Sequence, residues 1–411
     1  MKASRGSEVL IVGAGPAGAA TAWHLARAGI RVLLVDRARF PRDKPCSEYL
    51  SPEAVRLLDQ LGVVEDLEAA GAAPLHGSTV HGPDGAALTG RFAAAPVAPF
   101  RATGLAVSRR ILDARLLAAA LAAGAEFREA TLVDGPILES GAVTGAVLRA
   151  AGGPSEVIRA RLTIGADGLH SRLARALGGR RHGRPARMAF VAHVAGLAGL
   201  DGLAAMHVGR DGYAGVNRIT LATSGAPAIA NVALVVPVER TRRAAGDPTR
   251  FFLETLEEFP GLRGRIRREA LVRPVLVTGP FAARSQRVLC DGALLVGDAA
   301  EFFDPFTGDG IHAALKGASL ASHAALIALA TPGPVTARSL AGYRRARLSA
   351  FLGKWTIERV VGYGMLAPPL FDRALRRLAL RDLGHTFVAA TADYIPASAV
   401  LNPWFLCRMI L

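Results

Sequence analysis

The residues best suited to chemistry stand in five short stretches. Gly13, Gly15 and Gly18 form Gly-x-Gly-x-x-Gly, with Pro16 and Ala17 between them, directly after the apolar run at 9–12. In such a turn the first glycine permits a sharp bend. The second lets backbone approach a pyrophosphate, and the third lets the next helix pack on the strand. Free N–H groups at that helix's N-terminus favour phosphate. Asp36 closes the following apolar run, eighteen residues past Gly18, where its carboxylate can accept from a ribose hydroxyl. These features read as a dinucleotide-binding βαβ unit. Two further turns carry acids, Gly165-Ala-Asp167-Gly168 and Gly297-Asp298. The run Asp304-Pro-Phe-Thr-Gly-Asp-Gly-Ile-His312 opens a helix on glycines, and Arg42-Asp-Lys-Pro-Cys46 presents a thiol.

These stretches need elements to hold them. Residues 8–36 read as strand, helix, strand, and 52–61 as a short helix capped by Ser51. Residues 72–106 show little periodicity. Apolar residues at helical spacing span 109–123, ended by Gly124. Short alternating strands follow at 126–133, 136–139, 143–149 and 157–164, as a meander over the nucleotide-binding sheet. Strand-like runs at 188–194, 218–222 and 230–236 suggest an antiparallel substrate-binding sheet, with helices near 249–258 and 261–269. A buried strand is expected at 288–296 and helices at 310–330 and 339–352. The remainder alternates basic helical pieces with prolines.

With Ile164-Gly-Ala-Asp-Gly-Leu-His-Ser-Arg172 and the 288–312 segment, the chain resembles the FAD-dependent oxidoreductases that include group A aromatic hydroxylases and geranylgeranyl-reductase-like flavoproteins. The motifs near 13, 167 and 298 span most of the chain. The resemblance implies an α/β fold: a Rossmann-like FAD-binding domain (1–75, 104–186, 284–352), an inserted α+β substrate domain with an antiparallel sheet (76–103, 187–283), and a C-terminal helical segment (353–411). It implies FAD contacts from Gly13, Gly15, Pro16, Ala17, Gly18, Asp36, Arg37, Arg109, Val133, Asp167, Gly168, Gly297, Asp298, Gly308, Gly310 and Ile311. Asp298 would meet the ribityl chain, and Gly308 and Gly310 the pyrimidine edge. The Lys-Pro-Cys segment passes over the isoalloxazine in the reductase-like branch, which makes Cys46 a candidate catalytic residue, together with Pro305 and Gly308 of the run that opens the helix. Ser47 and Glu48 replace glycines there, and His312 stands where hydroxylases carry Asn.

The implied reaction is an NAD(P)H-dependent hydroxylation or epoxidation, through a flavin C4a-hydroperoxide, of a hydrophobic polyketide, phenolic lipid or isoprenoid. Reduction of isoprenoid double bonds and membrane-associated electron transfer are the alternatives. NADPH or NADH would donate electrons, and Tyr49, Tyr213, Phe303 and Phe306 would line the substrate pocket. Monomer and homodimer are both open. Net charge is +15, mostly from arginine, but no nucleic-acid module or aromatic interleaving accompanies it. Cys46, Cys290 and Cys407 are odd in number and lack metal-ligand spacing, which suggests a reducing, cytoplasmic setting and no metal. No apolar run reaches a membrane span, and peripheral membrane contact is left open.

Overall fold

The computed structural model describes residues 7–244 and 246–410. The strand Val9–Val12 is fully buried, and it lies at the centre of a six-stranded sheet. Parallel neighbours are Leu162–Gly165 and Val32–Val35. Ala293–Leu295 and Glu126–Arg128 flank those, and Leu289–Cys290 closes one edge antiparallel. Both faces are covered, as a parallel sheet demands. Val9, Ile11, Val32 and Leu34 face the helices Pro16–Arg27, Arg109–Ala122 and Gly310–Leu329. Leu10, Val12, Leu33 and Val35 face Val133, Ala146, Leu148 and Ile158 of an antiparallel meander, Thr131–Glu139, Ala142–Ala150 and Ser155–Arg159. The expected meander over the nucleotide-binding sheet is therefore present.

The second large sheet has seven strands, in the order Leu276–Thr278, Arg187–Ala195, Ile229–Pro237, Gly212–Thr220, Leu203–Gly209, Gly77–His81, Ala87–Arg91. Only the Leu203–Gly209 and Gly77–His81 pair is parallel. Side chains alternate across it. Phe190, Leu234 and Val236 pack on Phe251, Phe252 and Leu256 of the helix Pro248–Leu256. Val191, Tyr213 and Val235 face the other way, toward Phe306 and the C-terminal residues Ile357, Val361 and Leu375.

Several expected boundaries move, each for a local reason. The run at 126–133 divides at Ala130, whose φ of +49° sends the chain from the parallel sheet into the meander. The run at 157–164 divides in the same way between Ser155–Arg159 and Leu162–Gly165. The strand at 288–296 is a hairpin turning at Gly292, where a Cβ would lie 1.8 Å from the Val143 carbonyl oxygen. Residues 261–269 form no α-helix, and Gly264 turns left-handed there at φ +68°. The aperiodic 72–106 region supplies strands to the second sheet, and the strand Leu203–Gly209 went unanticipated. The helix expected at 339–352 runs from Ala341 to Gly364, because Tyr343, Arg347, Phe351, Lys354, Ile357 and Val361 continue one buried stripe. Among the described residues no helix is long and apolar enough to cross a membrane, and no cluster of His, Cys, Asp and Glu suits a metal.

Candidate active site

The glycine turn is built as its spacing requires. Gly13 has φ +100° and donates its N–H to the Val35 carbonyl at 2.7 Å. A Cβ there would lie 2.5 Å from the Ala166 oxygen, and one at Gly18 would lie 1.7 Å from the Gly13 oxygen. Gly15 differs: a Cβ there would meet only the terminal nitrogens of Arg42 and Arg109, at 3.6 and 3.7 Å. Pro16 takes the first helical position, where a missing N–H costs nothing. Ala17 abuts Gly297, whose added Cβ would lie 3.0 Å from the Ala17 Cβ. The Asp36 carboxylate accepts from the N–H groups of Ala14 and Ala38, each at 2.8 Å. It braces the turn and keeps a lone pair on each oxygen for a further donor. Arg37 beside it is exposed, and Val133 lies in the meander core.

Cations gather in front of this turn. Arg109 grips Asp113 in a bidentate pair, both contacts at 2.7 Å, and Asp113 is fully buried. Arg42 Nη1 lies 3.0 Å from the same carboxylate but without hydrogen-bond alignment, and it has no other partner. Lys44 Nζ comes within 3.1 Å of where a Gly168 Cβ would stand. Burial lowers the Lys44 pKa, and the nearby Arg109 and Arg42 lower it further. Asp298 is pushed up by burial against the pull of Lys44, Arg109 and Arg180. Asp167 is likewise raised by burial. Its Oδ2 accepts from the Arg172 N–H at 2.8 Å, while Oδ1 is buried with no partner. A glycine cradle, partly unsatisfied cations beside it and an orphaned carboxylate oxygen fit a diphosphate carrying polyhydroxyl groups. The residues present therefore suit FAD.

The Cys46–Tyr49 segment is clamped between two surfaces. Its Cys46 and Ser47 carbonyls each accept from Asn231 Nδ2 at 3.0 Å. Glu48 sits at φ +56°, a conformation natural to glycine, yet its carboxylate is buried. Oε1 accepts from the Arg109 N–H at 2.9 Å, and Oε2 lies 2.7 Å from His193 Nε2. His193 pairs Asn231, and Asn231 pairs Asn217, in one row across the seven-stranded sheet. On the other side Ser47 Oγ donates to the Gly308 carbonyl at 3.4 Å, and the Tyr49 ring covers Gly308. The Cys46 thiol accepts from the Glu48 N–H at 3.4 Å, with the Arg109 guanidinium beside it. Glu48, His193 and Asn231 were not singled out from sequence. The one signal was an acid standing where the resembled segment has glycine.

The helix-opening loop hangs from Asp304. Its Oδ2 accepts from Arg187 Nη1 at 2.7 Å, and Oδ1 accepts from the Tyr213 hydroxyl at 2.6 Å and the Phe306 N–H at 3.0 Å. Pro305 accepts from the Gly308 N–H at 3.0 Å, closing a turn in which Gly308 has φ +75°. Gly310 and Ile311 then begin the helix. Phe306 packs edge-on against Tyr213, with ring centroids 5.2 Å apart. Tyr49, Tyr213, Phe303 and Phe306 are all buried near this loop. The Tyr213 hydroxyl is already committed to Asp304.

Behind the loop lies a cluster of charge that sequence did not reveal. Lys354 Nζ is 3.1 Å from Asp309 Oδ2 and 2.5 Å from Asp393 Oδ2, and His312 Nδ1 is 2.8 Å from the same Asp393 oxygen. Glu358 stands close by. Burial raises its carboxyl to about 8 and that of Asp309 to about 6.

Comparison with known proteins agrees with this construction. The FAD binding domain family matches residues 6–350. A digeranylgeranylglycerophospholipid reductase of Methanothermobacter thermautotrophicus is 30% identical over 386 residues, 92% of this chain and 91% of its own. A menaquinone reductase of Mycolicibacterium smegmatis is 39% identical over 173 residues, covering 42% of this chain and 40% of its own. Among solved structures, a flavoprotein/dehydrogenase from Cytophaga hutchinsonii superposes with a TM-score of 0.82 at 18% identity, over 98% of this chain and 96% of that one. At that identity the likeness shows the fold.

Proposed function

We propose a lipid alkene reductase: the chain belongs to the FAD-dependent oxidoreductases that share the FAD binding domain and include the digeranylgeranylglycerophospholipid reductases, and its site suits reduction of an isoprenoid carbon–carbon double bond. The observation that carries this reading is the seating of Cys46. Its segment is held by Asn231 and Glu48 on one side and by Gly308 on the other. When bound and reduced, FAD supplies hydride chemistry. Saturating an alkene also needs a proton at the second carbon, and the Cys46 thiol can hold one. The Arg109 guanidinium lies beside the thiol, and a proton from solvent replaces the one given up. Buried Phe303 and Phe306 offer an apolar wall that excludes water. NADPH or NADH is the proposed electron donor. C46A should bind FAD normally and lose at least tenfold in lipid-alkene turnover. Unchanged turnover would remove Cys46 from the reaction.

The monooxygenase, the leading expectation from sequence, becomes the second reading. The aromatic wall favours it, since oxygen chemistry on a flavin also needs a dry site. His312 and the Cys46 segment weigh toward the reductase.

A lipid substrate implies contact with a membrane face. The helix Ala341–Gly364 exposes Leu348, Leu352, Val360 and Tyr363 along one stripe, continued by Leu366 and Leu370. Arg344 and Arg345 are exposed at its start. Apolar residues flanked by arginine suit an anionic bilayer surface. Flotation with anionic vesicles tests this, and a chain that stays in solution at low salt refutes it.

A further inference from the structure

A cavity of about 390 Å³ lies against the seven-stranded sheet, and none of its lining residues belongs to the glycine cradle or the Cys46 segment. Leu197, Leu200, Val216, Phe259 and Leu262 wall it with buried side chains, part of the core that also holds the helix Pro248–Leu256. Tyr213, which holds Asp304, packs into the core on the opposite face of the sheet. His81 and His207 also line the cavity. They stand directly opposite each other on the one parallel strand pair of this sheet. Their rings stack, with centroids 4.7 Å apart and planes 8° from parallel. The turn at 260–261 closes on this pair: a Cβ at Gly261 would lie 2.5 Å from His207 Cε1. Arg265 completes the rim. Its Nη1 and Nη2 donate to the Gly261 and Ala198 carbonyls, each at 2.5 Å. The Nε–H and one N–H on each terminal nitrogen remain unspent. Among the described residues Arg265 pairs with no acid, and no Asp or Glu lines the cavity.

We propose that this cavity is a second ligand site, built for a planar aromatic acid of about two fused rings whose carboxylate Arg265 receives. It stands apart from the flavin site and does not rest on the FAD reading. Size sets the first limit: a cavity of roughly 150 Å³ holds one benzene ring, so the space here takes a two-ring body with its acid group. Shape sets the second. The parallel imidazoles and the Phe259 ring give a flat molecule surfaces to stack on or meet edge-on. Charge sets the third. Burial lowers the pKa of both histidines, and that of His207 falls to about 4 with His81 and Arg265 adding to the effect. The pair is therefore neutral at pH 7, and Arg265 supplies the cavity's charge. Its remaining N–H groups suit a carboxylate, which accepts two of them side by side. Each neutral imidazole keeps one donor and one acceptor for hydroxyl or carbonyl groups on the ligand's rings.

The test titrates the full chain with 2-naphthoate by calorimetry near pH 7, and with 2-acetylnaphthalene, which keeps the rings and lacks the charge. One naphthoate should bind per chain, and the neutral ketone about tenfold more weakly or worse. R265Q should weaken naphthoate to a similar degree, and R265K less. A205F places a ring in the cavity from the sheet side and should abolish binding. All three variants should carry as much FAD as the parent, because none touches the cradle. A parent chain that does not bind naphthoate would overturn the proposal, and so would binding that R265Q and A205F leave unchanged. A second readout works in the parent chain itself. With histidine labelled at Cε1, the His81 and His207 signals should move on saturation and that of His193 should not. Movement of His193 alone would put the ligand beside the Cys46 segment and refute the second site.

Discussion

Glu48 Oε2 lies 2.7 Å from His193 Nε2, and this contact fastens the Cys46 segment to the seven-stranded sheet. Both residues are buried, and the same carboxylate accepts from the Arg109 N–H. One side chain thus ties together the thiol, the guanidinium beside it and the sheet that would carry the substrate.

Glu48 also occupies a left-handed conformation. E48A leaves buried Arg109 and His193 groups without their partner and should cost about 1–3 kcal/mol in urea unfolding. E48G suffers the same loss but suits φ +56°, so it should be about 1 kcal/mol more stable than E48A. An E48A variant as stable as the parent would show that the two bonds contribute little.

The glycines at 13 and 15 should separate stability from binding. G13A forces a Cβ to 2.5 Å from the Ala166 oxygen at φ +100°, and a loss of about 2 kcal/mol or more is expected. G15L meets only movable arginine tips. It should melt within a few degrees of the parent yet retain at least tenfold less FAD on dialysis. Equal FAD retention would place the pyrophosphate elsewhere.

Asp304 anchors the helix-opening loop through Arg187 and Tyr213. Y213F removes a hydrogen bond to a buried carboxylate and should cost about 1.5–3 kcal/mol. D304A leaves the Arg187 guanidinium buried and unpaired, with about 3–5 kcal/mol expected. Chemical denaturation of both variants checks the order. A milder D304A than Y213F would contradict the role given to the Arg187 pair.

What the sequence disclosed was local. Gly13, Gly15, Gly18 and Asp36 act through spacing along one βαβ unit, so their roles can be read from a short window. Glu48 and His193 are 145 residues apart, and no period or turn signal links them. Tyr213 looked like a pocket wall because aromatic residues suit apolar ligands, while its partner Asp304 lies 91 positions away. The charge cluster was hidden because the expected helix stopped at 352, just before Gly353, which placed Lys354 and Glu358 in a separate C-terminal segment. Packing carried the helix through that glycine to Gly364.

Glu358 gives stability a distinct pH dependence. Burial raises its folded pKa from 4.5 to about 8, so the folded state binds more protons than the unfolded one across that window. Its contribution is fully present below the unfolded value and is lost as pH rises through 8. E358Q should therefore gain Tm relative to the parent as pH is raised from 6 to 9. A constant difference across that range would show that Glu358 titrates normally.

The central claim is best tested by mixing the reduced, FAD-loaded protein anaerobically with a polyprenyl glycerophospholipid. The reductase account predicts that oxidised-flavin absorbance returns without oxygen and that one double bond is saturated per flavin. Flavin that stays reduced with this lipid, yet hydroxylates or epoxidises a lipid when oxygen is admitted, would contradict it.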